Sequence, residues 1–254
     1  MAEIEMLGGV AQTEVIVIPI IDVSGSMRGA RIDSVNLAMR EVPMQLADIN
    51  DESVDAKLLI APIEYSTGAR WFALKNDMPA EVESFTWVDL KTKGSTDFGA
   101  ALDLLTEKLT IVENGGWMKG RGGAAPVLIL ISDGRPTDSY KNKLKELKKR
   151  GWFNAALKFA VAVEGADISI LSEFTGHSEA IIDTTTIKND LSSIVKAVIV
   201  SASKTASKSA SVSNLENTTT VVVENETDLN EQVQQEAISS VKQALTLDST
   251  DDLF

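Results

Sequence analysis

The stretch Val17-Ile18-Pro19-Ile20-Ile21-Asp22-Val23-Ser24-Gly25-Ser26-Met27 decides how this chain is read. The apolar run from Val15 to Ile21 lacks polar alternation, the pattern of a strand covered on both faces, as in a parallel sheet. It passes directly into Asp22, Ser24, Gly25 and Ser26. Small oxygen-bearing side chains are thereby placed at the carboxyl edge of a sheet, where open α/β sheets bind their ligands. Asp22, Ser24 and Ser26 offer only oxygen, which suits Mg²⁺, Ca²⁺ or Mn²⁺ rather than zinc or copper.

Two further stretches extend the pattern. Gly94-Ser95-Thr96-Asp97-Phe98-Gly99 precedes a helical periodicity, and Val127-Leu128-Ile129-Leu130-Ile131-Ser132-Asp133-Gly134 is a second apolar run ending in a carboxylate. Each stretch alone has a plain structural explanation. Asp22 to Ser26 is a turn whose side chains can cap the next helix, and Asp133-Gly134 is a turn. Gly25 and Gly99 are expected to serve backbone geometry, and Asp97 to cap a helix or, as the second choice, to support the ligands from behind.

Together, in this order, the three stretches resemble the von Willebrand factor A family, over about residues 13 to 200. The resemblance rests on Asp-x-Ser-Gly-Ser, a threonine in a Gly-x-Thr loop and a strand-terminal Asp-Gly. It implies a doubly wound, mostly parallel α/β sheet with one antiparallel edge strand. It also implies a metal-ion-dependent adhesion site whose ligands are Asp22, Ser24, Ser26, Thr96 and Asp133, holding Mg²⁺, with Mn²⁺ or Ca²⁺ as alternatives. A partner protein's Glu or Asp would complete the ion's shell. Within the family the chain looks most like stand-alone bacterial proteins of tellurium-resistance and stress clusters.

The net charge of −13 argues against nucleic acid or an anionic membrane as partner. The absence of cysteine excludes disulfides and thiolate metal sites. A hydrophobic fraction of 44% suffices for one sizeable core. The acidic start, MAEIEMLGGVAQTE, does not read as a signal peptide, and the run from Val15 to Ile21 is too short to span a membrane. A cytoplasmic protein is expected.

Between the motifs, strands and helices alternate, as a doubly wound sheet requires. Ala30 to Ile49 has helical spacing, with Pro43 expected to kink or split it. Ala56 to Tyr65 and Arg70 to Lys75 read as a hairpin joined by Ser-Thr-Gly-Ala, and Met78 to Lys93 as irregular. Asp97 to Val112 is a predicted helix. Asn114 to Gly123 is glycine-rich but lacks the Gly-Lys-Ser/Thr ending of a phosphate loop, so it reads as a surface connection. Ser139 to Arg150 is a helix with Asp138 as expected cap; its five lysines and Arg150 read as a solvated face. Asn154 to Val163 is a predicted strand, Asp167 to Phe174 a helix, Ala180 to Thr184 a strand and Leu191 to Ala202 a closing helix. The single histidine, His177, cannot form a histidine metal site alone.

Domain boundaries follow composition: a lead-in over 1–13, the family domain over 14–202 and an acidic, polar appendage over 203–254. Ser207 to Ser213 reads as a linker and Thr218 to Val223 as a β-prone run. Asp228 and Glu231 form an expected capping pair. Leu229, Val233, Ala237, Val241 and Leu245 then share one face of an amphipathic helix over 228–247, which needs a surface to cover it.

These readings point to a non-enzymatic, metal-dependent adaptor. The alternatives are a metal-dependent phosphohydrolase, for which no base stands near the motifs, and a self-assembling scaffold whose acidic end, Asp248 to Phe254, enters a neighbour's site.

Overall fold

The computed structural model describes residues 12–120, 123–133, 135–187, 189–216 and 226–248. The expected lead-in up to residue 11, Gly134, the β-prone run 218–223 and the acidic end 249–254 lie outside them.

Strand β1 (Thr13–Asp22) is central and almost wholly buried. Its successive side chains face two cores. Val15, Val17 and Ile21 join one, whereas Ile16, Ile18 and Ile20 join the other. A strand buried on both faces has no position for a polar residue until it ends, which is why the run breaks only at Asp22. Helix α1 (Ala30–Glu52) follows and passes through Pro43 without splitting. Its stripe Ile32, Val35, Met39, Val42 and Leu46 is buried in the first core, and this tertiary packing outweighs the hydrogen bond that a proline removes.

The expected strand 56–65 is divided. β2 (Ala56–Ile60) and β3 (Ile63–Ser66) both pair parallel with β1 and keep one register through the break. Pro62, with no N–H to donate, falls in the gap, where its carbonyl accepts from the Phe72 N–H at 2.8 Å. β4 (Gly68–Trp71) turns back antiparallel on β3, earlier than the expected 70–75. The two-residue β5 (Ala80–Glu81) pairs antiparallel with β2 inside the stretch expected to be irregular.

α2 (Phe98–Lys108) ends sooner than predicted, and Trp117 from the glycine-rich loop packs tilted against Trp71 at 4.3 Å between ring centroids. β6 (Val127–Ser132) pairs with β1. After it, α3 (Tyr140–Leu147) carries Lys141, Lys143 and Lys145 on a largely exposed face and stops short of its expected end, before the exposed Lys148, Lys149 and Arg150. α4 (Gly151–Ala155) takes up the first residues of the expected strand 154–163, leaving β7 (Leu157–Ala162). α5 (Ile168–Thr175) and β8 (Ile181–Asp183) complete the sheet, whose order is β4-β3-β1-β6-β7-β8 with β2 also beside β1. The chain builds outward from β1 first to one side and then to the other, so the topological switch point lies between β1 and β6.

α6 (Leu191–Glu216) runs straight through Ser207 to Ser213 and corrects the linker reading. The low-complexity run is a small-residue helix face: Ala202, Ser203, Ala206, Ser207 and Ala210 are buried. Small side chains let a second helix approach closely, and α7 (Glu226–Asp248) does so. Ala237, Ile238, Val241 and Leu245 are buried in the first core with Val233 packed against it, while Leu229 remains exposed. The apolar stripe is thus covered by the chain itself. α7 begins at Glu226, so Asp228 sits within its first turn rather than ahead of it.

Gln234 of α7 fastens this helix to the sheet. Its side-chain amide accepts from the Lys158 N–H at 2.9 Å and donates to the Lys158 carbonyl at 3.2 Å. It thereby supplies the ladder contacts that β8, which begins opposite Ala160, is too short to give.

The Lys158 side chain is itself buried, donating to the carbonyls of Phe153 and Ala156, each at 3.0 Å. Burial pushes its ammonium from the ordinary value of 10.5 down to about 8. Below about pH 8 folded and unfolded chains both hold this proton, so it adds no pH dependence. Between about 8 and 10.5 the unfolded chain binds more protons, so raising the pH favours the folded state. Lys158→Met is expected to lack this rise, which is on the order of 2–3 kcal/mol, in denaturant titrations across that window.

Candidate metal centre

Asp22 ends β1, and Ser132 and Asp133 end β6, on either side of the switch point. The Asp22 carboxylate is fully buried. Its Oδ1 accepts from the Ser24 N–H at 2.8 Å and its Oδ2 from the Ser132 hydroxyl at 2.8 Å. Ser24 opens a 3-10 turn, Gly25–Met27, pinned by the buried Met27. That turn directs Ser26 back across the switch point. Ser24 Oγ and Ser26 Oγ lie 2.9 Å apart, and Ser26 Oγ donates to Asp133 Oδ1 at 2.7 Å. Asp22, Ser24, Ser26 and Asp133 therefore form one continuous chain of polar contacts across two strands.

Thr96 is held through its backbone, by Thr137. Its N–H donates to Thr137 Oγ1 at 3.2 Å, and its carbonyl accepts from the Thr137 N–H at 2.9 Å. The same loop is tied to the first one, where the Lys93 N–H reaches the Val23 carbonyl at 2.7 Å. All three loops are thus fastened to one another. Gly94 lets this loop lie against the β3–β4 turn: its φ is +65°, and a Cβ there would come within 2.2 Å of Thr67 Oγ1.

Two expected caps act elsewhere. The Asp97 side chain makes no cap bond to α2. Instead its Oδ2 accepts from the Gly68 N–H at 3.0 Å and its Oδ1 from Ser95 Oγ at 3.0 Å and Thr137 Oγ1 at 3.3 Å, bracing the Thr96 loop. Asp138 does not cap α3; its carboxylate lies against Gly99 at the start of α2. A Cβ at position 99 would meet Asp138 Oδ2 at 2.5 Å, so a larger residue there would displace the carboxylate.

Ser132, Tyr65, Thr137 and Arg31 belong to the same neighbourhood, and sequence reasoning did not single them out. Ser132 had a weak signal, as the last residue of an apolar strand; Arg31 had none. Burial pushes the Asp22 carboxyl up, and the charge of Asp133 adds to this, against the hydrogen bonds from Ser24 and Ser132. Burial and then the Asp22 charge push the Tyr65 phenol well above its usual range. Two buried carboxylates face each other across the switch point, with hydroxyl oxygens between them. Arg31, 2.5 Å from Asp133, offsets one of the two charges, and the oxygen-only set still carries a negative charge that fits a hard divalent cation. His177 lies at the opposite edge of the sheet, 3.5 Å from Glu231 of α7, beside a cavity of about 580 Å³ that Lys158 also lines.

A mostly parallel α/β sheet with hydroxyls and carboxylates gathered at its switch point has the layout in which open α/β sheets place a ligand at that edge. Residues 16–197 match the von Willebrand factor type A domain, and the chain belongs to that family, whose domain commonly mediates protein–protein interaction. No curated protein matches the chain. Among solved structures, it is similar to proximal thread matrix protein 1 of the mussel byssus, with 18% identity over 74% of this chain and 48% of that one at a TM-score of 0.53. A structure of that protein with a zinc-occupied adhesion-site motif gives 15% identity over 79% and 48%, at a TM-score of 0.52. The open pilus adhesin SpaC of Lactobacillus rhamnosus GG gives 15% identity over 80% and 31%, at a TM-score of 0.55. The chain spans less than half the length of these proteins. Among the described residues, no helix is long and apolar enough to cross a membrane.

Proposed function

We propose that the chain is a non-enzymatic, divalent-metal-dependent interaction module. Asp22, Ser24, Ser26, Thr96 and Asp133 hold the cation, and the ion accepts a Glu or Asp carboxylate from a partner protein. The observation that carries this reading is the continuous contact from Asp22 through Ser24 and Ser26 to Asp133, with the Thr96 loop fastened beside it. The bound cation supplies a Lewis-acidic position for an anionic oxygen. Of the chain's own groups, Ser132 and the Ser24 N–H orient Asp22, and Asp97 and Thr137 hold Thr96 in place.

The resident ion we assign is Mg²⁺. The donors are oxygen alone, the preference of hard cations. Zinc occupies the motif in the mussel byssus neighbour, which marks divalent binding as a capacity of this kind of site. A bacterial stress or tellurium-resistance assembly in the cytoplasm is the proposed setting. The proposed module spans residues 14–202 together with the rest of α6 and α7, which pack into the same core.

Affinity capture with the full chain as bait tests the reading. Partners are expected on the wild-type bait in Mg²⁺, and to be lost both with a chelator and with Asp22→Ala. Retention of the same partners in chelator would contradict it.

A further inference from the structure

Arg31 stands near the start of α1, five residues beyond Ser26. Its Nη1 donates to Asp133 Oδ2 at 2.5 Å and to the Ser26 carbonyl at 3.1 Å. Its Nη2 lies 3.8 Å from Glu164 Oε2. The members of this cluster differ in freedom. The Asp133 side chain is 1% exposed, Arg31 34% and Glu164 79%. The anion is therefore fixed inside the site, and the guanidinium reaches in from the rim.

Both oxygens of Asp133 are engaged, Oδ1 by the Ser26 hydroxyl and Oδ2 by a full positive charge. A cation drawing on Asp133 thus meets one that the chain already supplies. On the reading of the site given above, we propose that Arg31 is a built-in competitor for the divalent ion and sets the metal affinity of the site. Arg31 neutralises Asp133 and repels a second cation at short range, where the partly buried setting screens poorly. Glu164 gives the guanidinium another anion just outside the site, so drawing back from Asp133 does not leave it unpaired. The pairing with the Ser26 carbonyl also couples Arg31 to the loop that carries two of the assigned ligands.

Calorimetric titration of Mn²⁺ and Mg²⁺ into the full chain tests this, with wild type, Arg31→Gln, Arg31→Lys and Asp22→Ala compared. Arg31→Gln is expected to bind either ion about tenfold more tightly, and Arg31→Lys to stay within about threefold of wild type. In chelator, Arg31→Gln should melt below wild type, because Asp133 loses its counter-charge, and saturating Mn²⁺ should narrow that gap. Equal or weaker metal binding by Arg31→Gln would overturn the proposal. The wild-type chain gives a readout that survives if Arg31→Gln does not fold. The Arg31 Nε–Hε NMR signal, identified by its loss in Arg31→Lys, should shift as Mg²⁺ saturates, and an unmoved signal contradicts competition. The controls separate the two claims. Wild-type binding that Asp22→Ala abolishes, with Arg31→Gln unchanged, removes only the role of Arg31. Binding that survives Asp22→Ala, or no wild-type binding at all, removes the metal site and this proposal with it.

Discussion

Phe98→Ala is expected to destabilise the fold by about 3–5 kcal/mol, the largest effect of any single truncation considered for this chain. Phe98 is 1% exposed and begins α2, two residues after Thr96. Its ring lies 5.8 Å from Tyr65, 5.8 Å from Tyr140 and 6.0 Å from Phe174, centroid to centroid. One side chain therefore joins β3, the start of α3 and α5, two residues from Thr96 of the candidate site. Alanine removes the transfer free energy of the ring and leaves a cavity that four separate elements cannot close together. Denaturant titration should show a lower midpoint at unchanged slope. Phe98→Leu, which keeps most of the volume, should cost about 1–2 kcal/mol. A loss under about 1 kcal/mol for Phe98→Ala would mean that this cluster does not hold the site loops together.

Asp22→Asn is expected to weaken Mg²⁺ binding at least about 100-fold while preserving the fold. The asparagine oxygen can still accept from the Ser24 N–H, and its NH₂ can donate to the Ser132 hydroxyl, so the two contacts at 2.8 Å have replacements. What disappears is the negative charge. Burial already disfavours that charge and Asp133 opposes it, so its removal costs the ion-free fold little. A divalent cation, in contrast, loses one of its two anionic partners. Calorimetry with Mg²⁺ checks the affinity, and thermal melting in chelator checks the fold, with midpoints within a few degrees of wild type expected. Unchanged affinity would show that the cation binds elsewhere.

The parts of this protein that read clearly from sequence are those in which one residue's environment is dictated by its neighbours along the chain. β1 and β6 are unbroken apolar runs because both faces are buried, and their ends, at Asp22 and Ser132-Asp133, follow from that. The apolar stripe of α7 was equally legible. What covers it was not, because the alanines and serines of α6 look like a simple polar segment until a second helix packs against them. The division between β2 and β3 depends on which backbone groups β1 needs, and Pro62 alone does not reveal that. In the metal centre, the five assigned residues belong to local motifs. Their supports do not: Ser132 reaches Asp22 across 110 positions, and Arg31 reaches Asp133 across 102. Such contacts are products of sheet register and leave no mark on local spacing. The same holds for Asp97, whose position suggests a cap on its own helix but whose carboxylate braces the loops around it.

Crystals grown with Mn²⁺ and measured for its anomalous scattering test the central claim most directly. One peak is expected at the carboxyl edge between β1 and β6, within about 2–2.6 Å of Ser24 Oγ, Ser26 Oγ and Thr96 Oγ1, with Asp22 and Asp133 around it. A manganese peak elsewhere, or none while these loops keep the arrangement described, would contradict it.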